Sequence, residues 1–339
     1  MNRAAIKAVA SYLPAGELTN EQLAAEFPEY TAEKIFDKTG IRIRHISADG
    51  KCASDLGVAA ALHLFASRAC TPVDIDFLIF CTQSPDYYLP ATACVVQDRL
   101  GLRTDCGTID MNQGCSGFVY GLSLAKGLIE SGSAEKVLLI TADTYSKFIN
   151  PRDKSVKTLF GDGAAATLIE GIDADHELLG PFIFGSDGSG AGDLIVPAGG
   201  LRNMANPDNA VESEDEQGNW RSASNLYMNG GAIFSFTLKT VPETMRALLE
   251  RSGLAMDDID YFIPHQANKF MLDRLRLKMK IPADKFFCDM ELTGNTVSST
   301  IPIAFESAMG RGLIKRGDRV ALIGFGVGLS WAATLMEVT

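Results

Sequence analysis

The chain has 339 residues, 46% hydrophobic and 22% charged, enough for two cores and without a low-complexity tract that would prevent them. A net charge of −11 argues against a nucleic-acid binder, which needs a basic footprint. No apolar run reaches membrane-spanning length, Met1-Asn2-Arg3-Ala4-Ala5-Ile6-Lys7 lacks a signal-peptide core, and seven scattered cysteines and four histidines show no zinc-ligand spacing; a reduced, cytoplasmic protein without a metal is expected.

Short apolar or β-branched runs alternate with helical patterns, the signature of an α/β protein with buried sheets. Strands are predicted at 77–81, 107–110, 137–141 and 165–170 in a first half, and at 260–264, 320–325 and 332–338 in a second. Residues 116–130 carry Phe118, Leu122, Leu124, Ala125 and Leu128 at near-helical spacing and stop at Ser131-Gly132. Residues 301–312 are the counterpart, with Ile303, Phe305, Ala308, Met309 and Leu313 on one side. The polar segment 199–218 is read as an exposed loop. A boundary near Gly171-Ile172-Asp173, without a flexible linker, divides the chain into halves 1–173 and 174–339 that share an extensive interface.

The halves repeat one another. Asp74-Ile75-Asp76-Phe77-Leu78-Ile79 returns as Asp258-Ile259-Asp260-Tyr261-Phe262-Ile263, and Gly127-Leu128-Ile129 as Gly312-Leu313-Ile314. Lys136-Val137-Leu138-Leu139-Ile140 returns 183 residues later as Arg319-Val320-Ala321-Leu322-Ile323. For Ala165-Ala166-Thr167-Leu168-Ile169-Glu170 and Ala332-Ala333-Thr334-Leu335-Met336-Glu337 the spacing is only 167. The first half therefore holds extra residues between Thr141 and Gly161. Duplicated halves pair about a pseudo-twofold axis, so loops from both can meet at one site.

Four segments carry candidate chemistry. In Asp110-Met111-Asn112-Gln113-Gly114-Cys115-Ser116-Gly117-Phe118 a strand ends, glycine permits a turn, and a cysteine stands where a helix begins. Unpaired N–H groups and the positive dipole end there favour thiolate and predict a lowered pKa; a buried structural cysteine is the alternative. In Ile263-Pro264-His265-Gln266-Ala267-Asn268 a histidine follows a strand, either facing a loop-lined cavity or satisfied within the core. Gly294-Asn295-Thr296-Val297-Ser298-Ser299-Thr300 also reads as a turn running into an N-cap. Gly324-Phe325-Gly326-Val327-Gly328-Leu329-Ser330 lies between two strands, so it fails the strand–helix context of a dinucleotide loop; bare N–H groups aimed at a developing oxyanion suit it better.

Together and in this order these segments resemble the 3-oxoacyl-acyl-carrier-protein synthase III group of thiolase-like condensing enzymes. The resemblance spans essentially the whole chain, and includes Thr39-Gly40-Ile41-Arg42 with His45, Phe160-Gly161-Asp162-Gly163-Ala164 and Ser186-Asp187-Gly188-Ser189. It implies an α/β fold, a thiolase-like duplicated αβαβα five-layer sandwich, usually a homodimer. It places the nucleophilic cysteine on Cys115 in the N-terminal half, and the histidine and asparagine on His265 and Asn295 in the C-terminal half. The N–H groups of Cys115 and Val327 are the implied oxyanion hole, with Asn268 and Phe325 as further substrate contacts. Acyl transfer to Cys115, then decarboxylation of a malonyl thioester, gives a 3-oxoacyl thioester in fatty-acid initiation or a related specialised pathway. No resident cofactor is implied; coenzyme A or phosphopantetheine thioesters are substrates, and acyl carrier protein is the partner.

Three departures bear on substrate. Leu89 stands where the family's acyl pocket is limited by an aromatic residue, which predicts room for a longer or branched primer, or simple repacking. Lys34 and Lys154 stand where a tryptophan and an arginine sandwich the coenzyme A adenine, which predicts a carrier-bound donor. Lys269, Arg274 and Arg276 form a basic segment after Asn268, read as a carrier-protein patch or as a solvated helix face. Two other functions remain open: acylation of an alcohol or amine by the same cysteine, and a non-catalytic partner subunit.

Overall fold

The repeated Asp-Ile-Asp motif does the same work in both halves of the computed structural model, which describes residues 1–339. Asp74 caps the turn before its strand by accepting from Thr71 N at 2.7 Å, and Asp258 accepts from Ala255 N at 2.8 Å. Two residues on, Asp76 accepts from Lys136 N at 3.0 Å and Asp260 from Arg319 N at 2.8 Å. Each second aspartate thus sets the register between its own strand and the parallel neighbour.

The first principal sheet contains β1 (Asn2–Tyr12), β2 (Phe77–Cys81), β3 (Gly107–Met111), β4 (Lys136–Asp143) and β5 (Gly163–Asp173), in the order β1-β5-β4-β2-β3. The second contains β6 (Leu179–Ser186), β7 (Tyr261–Pro264), β8 (Arg319–Gly326) and β9 (Ser330–Glu337), in the order β7-β8-β9-β6. The equivalent pairs β2–β4 and β7–β8 are parallel, as is β2–β3, and the remaining pairs of both sheets are antiparallel. The counterpart of β3 is reduced to a single bridge between Phe262 and Phe286. The seven strands expected from sequence are all present; β1 and β6, equivalent edges of the two sheets, were not among them.

Five layers result. The central layer is formed by the helices Gly117–Glu130 and Thr300–Gly310, whose Phe118, Leu122, Ala125, Ile301, Phe305 and Ala308 are buried between both sheets. Leu124, Met309 and Leu313, placed on the buried faces by periodicity alone, are 47%, 37% and 36% exposed. Outside the first sheet lie Ala53–Ala66 and Thr92–Leu100, and outside the second Gly230–Ser252 and Lys269–Met279. With strands covered on both faces, runs such as Phe77-Leu78-Ile79-Phe80-Cys81 are continuously apolar rather than alternating.

The spacing change in the repeat is also explained. Val327-Gly328-Leu329 alone joins β8 to β9. Between β4 and β5 the chain instead makes a 3-10 turn, Tyr145–Phe148, and a short helix, Lys154–Lys157. This excursion returns along the second half, where Asn295 N donates to Leu159 O and Gly161 N to Asn295 O, both at 3.0 Å. Segment 199–218 is largely exposed, with a minimal ladder between Ser213–Glu214 and Trp220–Arg221.

Candidate active site

Cys115 sits on the turn between β3 and the Gly117–Glu130 helix, closed by Gly117 N donating to Gly114 O at 2.7 Å. Space for that turn comes from the other half. A Cβ at Gly324 would lie 2.6 Å from Ser116 Cα, and one at Gly326 would lie 2.7 Å from Cys115 Sγ. The alternate glycines of the 324–328 segment thus let β8 pass directly beneath the nucleophile. Ser116 Oγ and Ser330 Oγ, 2.7 Å apart, fasten the two segments together.

The N–H groups of Val327 and of Cys115 itself both donate toward the thiol, acting to lower its pKa. Burial is the larger influence, and Asp143 adds to it; the thiol is pushed up to about 12. The lowered pKa expected from the helix N-terminus is therefore not found, because sulfur without solvent loses more as an anion than two amides return.

His265 follows β7, its own N–H donating to Ile323 O at 2.8 Å. Its side chain is buried, and burial lowers its pKa to about 3, so the imidazole is neutral. Nδ1 lies 2.7 Å from Thr300 Oγ1, and the ring meets Phe325 edge-on at 5.6 Å between centroids. Asn295 follows Gly294, whose φ of +70° is the tight turn seen in the sequence. Its Oδ1 accepts from Val297 N at 3.0 Å, leaving Nδ2 only a long contact to Ala267 O at 3.4 Å. Ser298 and Ser299 are not N-cap acceptors. They donate across the pseudo-twofold, Ser298 to Asp143 and Ser299 to Thr141 O at 2.9 Å.

Cys115, His265 and Asn295, separated by up to 180 residues, line one cavity of about 70 Å³. Asn268 and Phe325 line it too, as expected, with Leu194, Met228, Ile233 and Met271 as apolar walls. Leu89 does not: it is 83% exposed, on the segment that Thr92 N and Ala93 N anchor to Asp110 at 2.6 and 2.7 Å. Its assignment to the acyl pocket of its own chain is corrected.

A cleft of about 420 Å³ shares Leu159 and Asn268 with the cavity and opens to solvent between Tyr30, Lys38, Lys154 and Phe270. Lys154 is therefore at the mouth, paired with Glu29 at 2.6 Å. Lys34 is not; the helix Ala32–Thr39 presents Ile35, Lys38 and Thr39 to the cleft and Lys34 to solvent. The flat face at this mouth is Tyr30, with Lys38 and Lys154 at 5.5 and 6.0 Å from its ring, and sequence reading missed it. The signal was its position one residue before the Thr31 N-cap of that helix. Of the basic segment, Lys269 is paired with Asp273 at 2.5 Å and Arg276 donates to Ile281 O at 3.2 Å. Arg274 is exposed and lies over the Phe270 ring at 5.4 Å, beside the mouth.

A buried cysteine beneath paired amides, with a neutral imidazole and a carboxamide converging from the other half of a duplicated sandwich, defines a thiolase-fold condensing enzyme. Comparison with known proteins narrows the class. Residues 109–188 and 249–338 match the 3-oxoacyl-(acyl-carrier-protein) synthase III family and its C-terminal domain. The beta-ketoacyl-(acyl-carrier-protein) synthase III of Caldanaerobacter subterraneus is 36% identical over 98% of this chain and 97% of its own. A crystal structure of a 3-oxoacyl-(acyl-carrier-protein) synthase III is 53% identical, covers 99% of both chains and superposes with a TM-score of 0.98. The priming beta-ketosynthase of the R1128 polyketide pathway is 30% identical, over 99% of this chain and 96% of its own, with a TM-score of 0.86. The chain belongs to the beta-ketoacyl-(acyl-carrier-protein) synthase III family.

Proposed function

We propose that this enzyme joins an acyl primer to a malonyl-carrier thioester by decarboxylative Claisen condensation. The observation that carries the reading is the convergence of Cys115, His265 and Asn295 on one cavity from two halves of the chain. In the first half-reaction Cys115 sulfur attacks the primer thioester, the Cys115 and Val327 N–H groups hold the oxyanion, and the old thiol departs with the cysteine proton. Because the buried thiol is neutral at rest, that proton must leave during attack. Loss of one such oxyanion donor costs about 10²–10³ in rate.

In the second half-reaction the malonyl thioester carbonyl lies against His265 and Asn295. The step uses the imidazole tautomer with hydrogen on Nε2, in which Thr300 Oγ1 turns its hydrogen from Val297 O to Nδ1; Nε2 and Asn295 Nδ2 then both donate to that carbonyl. The carbon–carboxylate bond breaks, its electron pair forms the enolate, and carbon dioxide leaves. The enolate carbon attacks acyl-Cys115, the carbon–sulfur bond breaks, and the expelled thiolate takes a proton from solvent. A neutral imidazole suits this use, since it stabilises the enolate without trapping the product as a fixed cation would.

The same reading includes carrier protein as partner, with Arg274 as its exposed cation at the mouth, and the thioester arm following the cleft past Asn268 to Cys115. It requires no resident cofactor and a reducing, cytoplasmic setting for the thiol. It also includes a homodimer. β3 is an edge strand with Ile109 46% exposed, flanked by the exposed Tyr87, Tyr88 and Leu89, an apolar edge that a second copy would cover. Ile109→Lys should turn a dimer into a monomer in sedimentation.

The functional test is mass spectrometry of the protein after acyl-coenzyme A or acyl-carrier donors, followed by malonyl-carrier with carbon dioxide trapped. Acyl-Cys115, then stoichiometric carbon dioxide and 3-oxoacyl product, is expected. Acylation with transfer to an alcohol or amine and no carbon dioxide would replace this reading, and no acylation at all would indicate a non-catalytic partner.

A further inference from the structure

One strained loop orients both decarboxylation donors. Val297 has a φ of +57°, the left-handed region that β-branched residues avoid. In that conformation its N–H turns back onto Asn295 Oδ1, which fixes which end of the carboxamide faces the cavity. Three residues later the same loop delivers Thr300 Oγ1 to His265 Nδ1, which fixes the other donor. Strain of this kind persists only where the surroundings enforce it.

What enforces it lies in the other half of the molecule. Asp143, the last residue of β4, is fully buried. Its Oδ2 accepts from Ser298 Oγ and from Ser298 N at 3.2 Å, so both donors of the residue after Val297 end on one oxygen. Its Oδ1 accepts from Gln83 N at 2.8 Å, which anchors the carboxylate to the end of β2. No cation pairs with Asp143, so its desolvation is offset only by these donors and a long contact from Thr82 Oγ1 at 3.5 Å. A serine donating to a backbone carbonyl would have tied the loop down at far lower cost. A carboxylate held without a counter-ion points to a role that needs its several acceptor sites at once.

We propose that Asp143 is a positioning residue for the decarboxylation step: through Ser298 it clamps the Val297 turn, and so aims Asn295 and His265 together at the malonyl carbonyl. The clamp's hydrogen bonds do not reach the groups that serve acyl transfer: Cys115 and Val327 present their amides from the β3 turn and the β8–β9 turn, and Asp143 acts on Cys115 only by helping to raise its thiol, an influence whose removal does not slow acylation. The two half-reactions should therefore separate.

This inference rests on the condensation reading, and the experiment distinguishes their failures. Parent, Asp143→Asn and Ser298→Ala enzymes are compared for acyl-Cys115 formation by rapid-quench mass spectrometry and for carbon dioxide release from malonyl-carrier. Asparagine keeps one acceptor for Gln83 N but turns an amide toward Ser298. Ser298→Ala removes one hydrogen bond and leaves the carboxylate in place, and so decides the matter if Asp143→Asn does not fold. Expected for Asp143→Asn is acylation within about threefold of parent and carbon dioxide release reduced on the order of 100-fold; for Ser298→Ala the second loss is about tenfold. Equal loss in both half-reactions, the mark of a merely structural residue, overturns the proposal, as does no loss in either. A parent that releases no carbon dioxide overturns the condensation reading and the clamp with it.

Discussion

Gly326 stands so close to Cys115 that a Cβ on residue 326 would lie 2.7 Å from the sulfur and 2.9 Å from Cys115 Cβ. Its φ of +155° would strain any other residue as well. Gly326→Ala should abolish Cys115 acylation and destabilise the fold by about 1–3 kcal/mol, read by intact mass and thermal melting. Gly127→Ala, in the nucleophile helix with nothing within 4 Å of the added carbon, should be neutral or stabilising by about 0.5–1 kcal/mol.

Asp143 and His265 make opposite contributions to stability as pH changes. Burial raises Asp143 to about 7, so its contribution is complete below the ordinary carboxylate pKa and is lost as pH rises through 7. Burial lowers His265 to about 3, so its contribution is complete above 6.5 and is lost as pH falls toward 3. The carboxylate faces Ser298, Gln83 and Thr82 as donors, which favour its charge, and Asp162, Cys115, Cys81 and Tyr145 as acidic neighbours, which once ionised favour the proton. Replacing Asp143 by Asn removes only the first slope. The unfolding free energy of Asp143→Asn minus that of the parent, from denaturant melts, should climb between pH 4 and 7 at up to about 1.4 kcal/mol per pH unit and level off above. A flat difference curve would contradict this.

Tyr30 and Lys154 line the cleft mouth and Lys34 does not. Tyr30→Ala and Lys154→Ala should each raise KM for the donor thioester about tenfold with kcat unchanged, the pattern of lost uniform binding. Lys34→Ala should alter neither constant in steady-state kinetics.

Arg274 is the cation of the basic segment free of a carboxylate partner beside the mouth. Arg274→Glu should raise KM for malonyl-carrier about tenfold and flatten its dependence on ionic strength, while turnover of a coenzyme A thioester stays within about twofold.

Several of these residues were legible in the sequence because they obey local rules. Asp76 and Asp260 betray the duplication because each half needs the same carboxylate to fix its parallel strand pair in register. Cys115, His265 and Asn295 follow strand ends and turn glycines, which place side chains at the sheet rim without knowledge of the rest. Leu124 was misplaced because helical spacing records a face but not what covers it. Lys34 was misplaced, and Leu89 was not seen to lie outside its own chain's cavity, because position along a chain does not reveal which way an exposed segment turns. The neutral thiol of Cys115 was missed for a similar reason: the favourable dipole is local, whereas the burial that outweighs it is supplied by β8 and its glycines.

The amino-acid order by itself determined the duplicated α/β architecture, the extra residues between β4 and β5, and the identity of the reactive side chains, since periodicity, turn chemistry and repetition act over a few residues. Only tertiary structure decided that Tyr30 rather than Lys34 guards the mouth, that Asp143 grips the Asn295 loop, and that Cys115 rests protonated. Each of those outcomes depends on groups far apart in the chain sharing a dry interior, where removal from water and the available hydrogen-bond partners set the charge state and orientation of every polar group.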